Sequence, residues 1–404
     1  MSPSDTAAPR NVLLSVFGVN PRKIGSGETY IHELSLQLNQ AGWHHVVCFL
    51  REPAEAPRKY LSSPNVSLEV LPDAWQLGWK PAAGLWKLLR KHRPRILHLS
   101  FTGLLSPYPW IARWNGVEQV FFTDQASRPE GFVARRAPAW RRGITRLINC
   151  PLDRVIAISD FVRGCWTVAG LFPAARLTRI YNSVDLTAYH RVNGAEFRRR
   201  FGIMPDRQVA IQVAHVVPEK GFQDLIAAAR IVVRENPRAH FVFVGDGPCR
   251  ERYKQLAEEM GLANHVTWTG QITSPLEEGA FAAADIACQV SRWEEGAGWA
   301  IAEAMSFARP VIGTRVGAIP EMIENGRTGF LVERGDYQGI AERLLHLLAD
   351  PELCRNLGIG ARRMAEERLD LRVNVARLLE LYGIEHRPAS AAAAASVVAS
   401  TRRD

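Results

Sequence analysis

The stretch DIACQVSRWEEGAGWAIAEAMSFARPVIGTRVGAIPE, residues 285–321, carries the pattern that decides the fold. An apolar run of strand length stops at Ser291, a Glu-Glu-Gly-Ala-Gly loop follows, a helical segment opens near Trp299, and a β-branched run returns at 310–314. Strand, loop, helix and strand in so short a span make a crossover between parallel strands. The loop-to-helix step aims unpaired backbone N–H groups and the positive helix end at whatever lies over it, which suits an anion or a hydroxyl. Glu295 and Glu303 stand eight residues apart, one in the loop and one about a turn inside the helix, so both can face one elongated ligand. The same acids also suit a helix start that binds nothing.

Outward from this stretch the alternation continues to both ends. Strand candidates lie at 208–214, 240–246, 265–270, 285–291, 310–314 and 328–332 in the second half. In the first half they lie at 11–19, 46–50, 96–101, 119–123 and 154–159. Helical stretches separate them, so the expected fold class is α/β, with two Rossmann-like doubly wound domains facing across a cleft. NSVDLTAYHRVNG (182–194) has neither period and reads as the linker. The expected division is 1–185 for an acceptor-side domain and 186–370 for a donor-binding domain. A C-terminal helix at 371–384 packs back on the first domain, and 385–404 forms an Ala-rich tail.

Composition agrees with two globular domains: 404 residues, 47% hydrophobic and 23% charged. Disordered and collagen-like classes are excluded by that apolar fraction, and a disulfide scaffold by six cysteines scattered without a C-x-x-C. MSPSDTAAPR at the start has no apolar leader, and no run approaches ~18 apolar residues, so a soluble, cytoplasmic protein with free thiols is expected. Charge is asymmetric. Residues 1–180 hold 23 Lys plus Arg against 12 Asp plus Glu, net +11, whereas the remainder is net −2. A basic half meets an anionic partner or is a solvated basic face. Neither half has a G-x-G-x-x-G after its first strand, which argues against a dinucleotide-dependent dehydrogenase.

The second half resembles the retaining nucleotide-sugar glycosyltransferases of family 4 (glycosyl transferases group 1), which have the two-Rossmann GT-B architecture. The resemblance runs in order and spacing through AISDFVR (157–163), YNSVD (181–185), VPEKGFQDLIAAA (217–229), FVFVGDGP (241–248), HVTWTGQI (265–272), the Glu-x7-Glu segment and GAIPEMIENGRTGFLVERGD (317–336). It implies that Glu295 approaches hydroxyls of the donor sugar and Glu303 those of the ribose. The amides of Ala297, Gly298 and Trp299 then face sugar and phosphate. Lys220, opening a helix after a strand, neutralises the diphosphate leaving group. Five residues earlier the family usually has a second diphosphate-binding Arg; here the position is His215.

In the first half, Gly25-Ser-Gly27 opens a helix where the family has its glycine-rich donor loop. His98 ends the third strand candidate and Asp124 the fourth, so both are candidate catalytic groups on the cleft side. A core histidine and a turn-capping aspartate are the alternatives. RPEGFVARRAPAWRRGITR (128–146) carries six Arg against one Glu. Arg135, Arg136, Trp140, Arg141, Arg142 and Arg146 are expected to form an acceptor or membrane surface, most of the arginines along one helix side.

The expectation is a retaining, metal-independent glycosyltransferase with a nucleotide-diphosphate sugar as co-substrate and no other cofactor. Its acceptor is a glycan or lipid-linked glycan, an anionic membrane surface is a peripheral partner, and nucleic acid is not. A sugar phosphorylase or nucleotide-sugar epimerase, or a non-catalytic GT-B subunit, would use the same scaffold.

Overall fold

The computed structural model describes residues 11–385 apart from Leu77 and Leu104, and the expected tail lies outside them except for Glu385. Seven parallel strands form the first sheet: β1 (Val12–Phe17), β2 (His44–Phe49), β3 (Val66–Val70), β4 (Ile96–Ser100), β5 (Gln119–Asp124), β6 (Arg154–Ala157) and β7 (Leu177–Arg179). Their order is β3-β2-β1-β4-β5-β6-β7. Six parallel strands form the second: β8 (Gln208–Val213), β9 (Ala239–Val244), β10 (Val266–Gly270), β11 (Ile286–Gln289), β12 (Val311–Thr314) and β13 (Gly329–Val332), in the order β10-β9-β8-β11-β12-β13.

The central strands are continuous apolar runs because helices cover both faces; every residue of β1, β9, β11 and β12 is buried. β3 and β7 escape the sequence reading for the same reason reversed. They are the edges of the first sheet, β3 is half-buried throughout, and its VSLEV alternates where the inner strands run apolar.

Chain direction reverses in each sheet between the first and fourth strands, β1 and β4 in one, β8 and β11 in the other. Loops diverge there and open a crevice at the carboxyl ends. The loops after β1, β8 and β11 therefore converge between the domains, and they carry Gly25–Gly27, His215–Gly221 and Glu294–Gly298.

The chain then returns. Asp370 caps the helix Leu371–Leu381 by accepting from Val373 N at 3.0 Å. Leu371, Val375, Leu378 and Leu379 of that helix enter one core with Leu34, Leu38, Ile96 and Phe121 of the first domain. Each buried aliphatic side chain contributes about 1.5–3 kcal/mol, so the last helix stabilises the first domain across the linker.

Candidate active site

Lys220 and Glu295 meet at the second switch point. Lys220 Nζ donates to Glu295 Oε1 at 2.6 Å, Ser291 Oγ donates to the same oxygen at 2.5 Å, and Ser127 Oγ reaches Oε2 at 3.3 Å. Glu295 is buried, so its charge depends on these partners. Lys220 is fixed from below, where its carbonyl accepts from Gln212 Nε2 at 3.0 Å. Gly221 follows with φ +69°, and a Cβ there would lie 1.9 Å from the Val290 carbonyl. The Lys-Gly pair is thus wedged against the end of β11, and no larger residue permits that approach.

Glu303 lies in the helix Trp299–Ser306 and is buried; its Oε1 accepts from Ser26 Oγ, the first residue of the helix Ser26–Gln40. Burial pushes the Glu303 carboxyl up from its ordinary value, while the Ser26 bond and nearby Lys23 pull it partly back. Gly25 caps the Ser26–Gln40 helix and a Cβ on Gly27 would touch the Trp299 ring at 3.6 Å. The amino ends of two helices from different domains therefore face each other across the cleft. Both aim partial positive charge into it. Among the described residues, no acceptor of the chain takes the amides of Ala297, Gly298 or Trp299, and Trp299 Nε1 is buried without a partner.

The loop between Ser291 and Gly298 is held from both sides. Glu294 pairs its backbone with Arg128 in a short antiparallel bridge, N to O distances 2.8 and 3.0 Å, and its carboxylate accepts from Gly317 N at 2.7 Å and from Arg334. Ser159 Oγ donates to the Gly296 carbonyl at 2.7 Å. Ser26, Ser127, Ser291, Glu294 and Arg128 were not singled out from the sequence. Serines in loops and at strand ends look like ordinary turn residues, and only the folded cleft shows what they touch.

His215 is exposed and its Nδ1 donates to the Asp246 carbonyl at 2.6 Å, leaving Nε2 available to a ligand. His98 and Asp124 are corrected. His98 is 2% exposed, its ring nitrogens are joined to Thr123 Oγ1 at 2.7 Å and Tyr382 Oη at 2.5 Å, and burial lowers its pKa to about 3. It is a core histidine that anchors the returning C-terminal segment. Asp124 accepts from Arg128 Nη2 at 2.5 Å, Trp166 Nε1 at 2.9 Å and Ala126 N at 3.0 Å. The Ala126 and Arg128 bonds shape the 124–128 turn that reaches the Glu294 loop, and the Trp166 bond ties it to the core.

The basic segment also differs from expectation. Its helix is Ala139–Ile148, so Arg135 and Arg136 precede it and are not on the helix that carries Arg141, Arg142 and Arg146. Arg142 donates to the Ala137 carbonyl at 2.7 Å and Arg146 to that of Gly170 at 3.1 Å. Pro138, at the N-cap with extended backbone, sets this boundary. Trp140 is 68% exposed.

Two parallel, doubly wound sheets with a site at their facing switch points define the GT-B class of glycosyltransferases, and comparison with known proteins agrees. The Glycosyltransferase Family 4 model matches residues 27–188 and the Glycosyl transferases group 1 model residues 194–364. The chain belongs to the group 1 glycosyltransferases. It is 33% identical to the N-acetyl-alpha-D-glucosaminyl L-malate synthase of Bacillus anthracis over 48% of this chain and 50% of that protein. It is 31% identical to the GDP-mannose-dependent alpha-(1-6)-phosphatidylinositol monomannoside mannosyltransferase of Mycolicibacterium smegmatis, over 60% of this chain and 65% of that one. The matches thus span half to two thirds of these relatives. In fold it is similar to Anabaena HepE, solved in complex with UDP and glucose (TM-score 0.74, 20% identity, 93% of this chain and 99% of that chain).

Proposed function

We propose that this protein transfers a hexose or related sugar from a nucleoside-diphosphate donor to an acceptor hydroxyl of a glycan or lipid-linked glycan, with retention of anomeric configuration and without a metal. The observation that carries the reading is the meeting of Lys220, two helix amino ends and two buried glutamates in one interdomain crevice. Cation and helix ends suit a diphosphate; the glutamates suit the hydroxyls on either side of it. HepE, solved with UDP and glucose, is consistent with a nucleotide-sugar donor.

In this mechanism Ala297, Gly298 and Trp299 donate backbone N–H groups to the donor. Glu303 accepts from the ribose hydroxyls and Glu295 from those of the sugar. Lys220 shifts from Glu295 to the diphosphate, and His215 Nε2 assists. As the bond from the anomeric carbon to the phosphate oxygen breaks, negative charge grows on the leaving group, where Lys220 and the helix ends stabilise it. The acceptor hydroxyl attacks from the same face. Its proton passes to the leaving phosphate oxygen, and the new glycosidic bond keeps the original configuration. No side-chain base is assigned, since His98 is buried and Asp124 is fully bonded. In this reading Lys220, His215 and the two helix amino ends take the place of a divalent cation at the diphosphate.

The test is thermal stabilisation of the purified protein by UDP-, GDP- and ADP-sugars, followed by NMR of the product anomer from the best donor, with chelator present. Retained configuration and chelator-resistant turnover are expected. Inverted product, or turnover of the donor only to an isomer without acceptor, overturns the proposal.

A further inference from the structure

Three helices of the first domain have an unusual composition: Trp79–His92, Tyr108–Trp114 and Ala139–Ile148. Together they hold five of the chain's eleven tryptophans and eight Lys or Arg, but no Asp or Glu. Their inner faces are ordinary. Leu85, Leu88 and Leu89 of the first and Tyr108 and Ile111 of the second enter one core with Leu14 and Val120. The third helix is tied through Arg146 to Gly170, at the end of the helix Asp160–Ala169, whose Val162 and Trp166 enter that same core.

Their outer faces are not ordinary. On Ala139–Ile148, Trp140, Ile144 and Leu147 recur at one helical period and are 68%, 51% and 66% exposed, while Thr145 faces inward. Trp79 (77%) and Trp114 (70%) are exposed on the other two. Isolated surface apolar residues need no explanation, but a stripe of three exposed apolar side chains on one helix, with exposed tryptophans on two other helices free of acidic residues, marks an interaction site. The charge identifies the partner. Lys80, Lys87, Arg90, Arg135, Arg136 and Arg141 have no ion-pair partner among the described residues.

We propose that these helices form a docking surface for an anionic lipid bilayer, with Trp140, Ile144 and Leu147 entering the headgroup boundary and the flanking cations on phosphate headgroups. Tryptophan favours that boundary because its ring is apolar and its N–H needs a polar partner. An amphipathic helix with cations flanking an apolar stripe lies in the interface plane. No described helix is long and apolar enough to cross a membrane, so this contact is peripheral. The inference stands apart from the identity of the acceptor, and donor binding is read separately in its test.

The test is co-sedimentation with vesicles of equimolar phosphatidylglycerol and phosphatidylcholine, against phosphatidylcholine alone, at low and high salt. Wild type is expected to bind the anionic vesicles and to be released by salt. The Arg135→Gln/Arg136→Gln/Arg141→Gln variant should bind them about two orders of magnitude more weakly, roughly fivefold for each charge removed. Trp140→Ala/Leu147→Ala should bind at least about tenfold more weakly at unchanged charge, because the lost apolar burial is worth about 0.8 kcal/mol per CH₂. Calorimetric nucleotide binding should be the same in all three proteins, which shows that the variants fold. Equal binding of wild type and either variant overturns the proposal. So does a concentration-dependent dimer abolished by Trp140→Ala/Leu147→Ala, which would make a second copy the occupant.

Discussion

At the residue scale, both site glutamates are held by the chain itself: Lys220 bonds Glu295 and Ser26 bonds Glu303. In the proposed mechanism both bonds give way to the donor. Lys220→Ala should lower kcat by about 10²–10³, the effect of removing one preorganised stabiliser of a developing anion; a loss under threefold in steady-state assays removes Lys220 from the mechanism. Ser26→Ala has the opposite sign in binding. A hydrogen bond to a charged group contributes about 1.5–3 kcal/mol. If a ribose hydroxyl replaces Ser26 on Glu303, nucleotide need not break that bond in the variant. Calorimetry should then show UDP or GDP, whichever the wild type takes, binding about tenfold tighter or more, with a lower Tm for the free variant. Unchanged or weaker binding would mean that Glu303 is not where the ribose sits.

At the element scale, the turn between Pro218 and Phe222 holds Lys220, and its geometry depends on one missing Cβ. Gly221→Ala should lose both stability and kcat, because the new methyl meets the Val290 carbonyl in a left-handed backbone conformation. Gly202→Ala is the control. Its φ is +66° but nothing lies within 4 Å of its Cβ position, so it should cost only about 1–2 kcal/mol and leave kcat unchanged. Urea denaturation and initial rates on the two variants decide it; equal activity in both would show that the turn tolerates displacement. The helix Asp160–Ala169 provides a second joint. Glu321 of the other domain accepts from Asp160 N at 2.7 Å and from Phe161 N at its amino end, a favourable place for a carboxylate.

At the scale of the whole molecule, acid should destabilise the fold well above the carboxylate range. Burial lowers His45 and His98 to about 3, so the native state keeps both neutral where the unfolded chain, near 6.5, takes up protons. Their contribution is complete above pH 6.5 and is lost as pH falls toward 3, by about 1.4 kcal/mol per pH unit for each histidine. Glu303 and Glu321 act in the other direction, since their carboxyls are raised by burial and hold protons that the unfolded chain has lost. Urea denaturation at pH 7.5 and 5.5 should show lower stability at 5.5, and His98→Gln should remove part of that difference, the rest coming from His45 and from His240, which burial lowers to about 4. A flat profile would mean that the buried histidines charge without cost. Tyr382→Phe tests the same anchor. It should cost about 1–3 kcal/mol by leaving the His98 ring short of a partner.

The sequence by itself determined the inner strands, the two sheets and the loop-to-helix step that carries Glu295 and Glu303, because each is written locally. A buried parallel strand must be apolar along its whole length, and a loop-to-helix step must spend glycines and leave amides open. Edge strands β3 and β7 were not legible, since half-exposed strands need no apolar run. His98 shows the limit most plainly: in ILHLSF a catalytic and a core histidine look the same. What separates them is Tyr382, 284 residues away in the chain and brought onto the ring only when the last helix packs against the first domain. The same holds for Asp124, Ser26 and the outward-facing tryptophans. Periodicity records which residues must leave water. Which partner each polar group meets, and which aromatic stays uncovered, depends on contacts between distant segments and was decided by the tertiary structure alone.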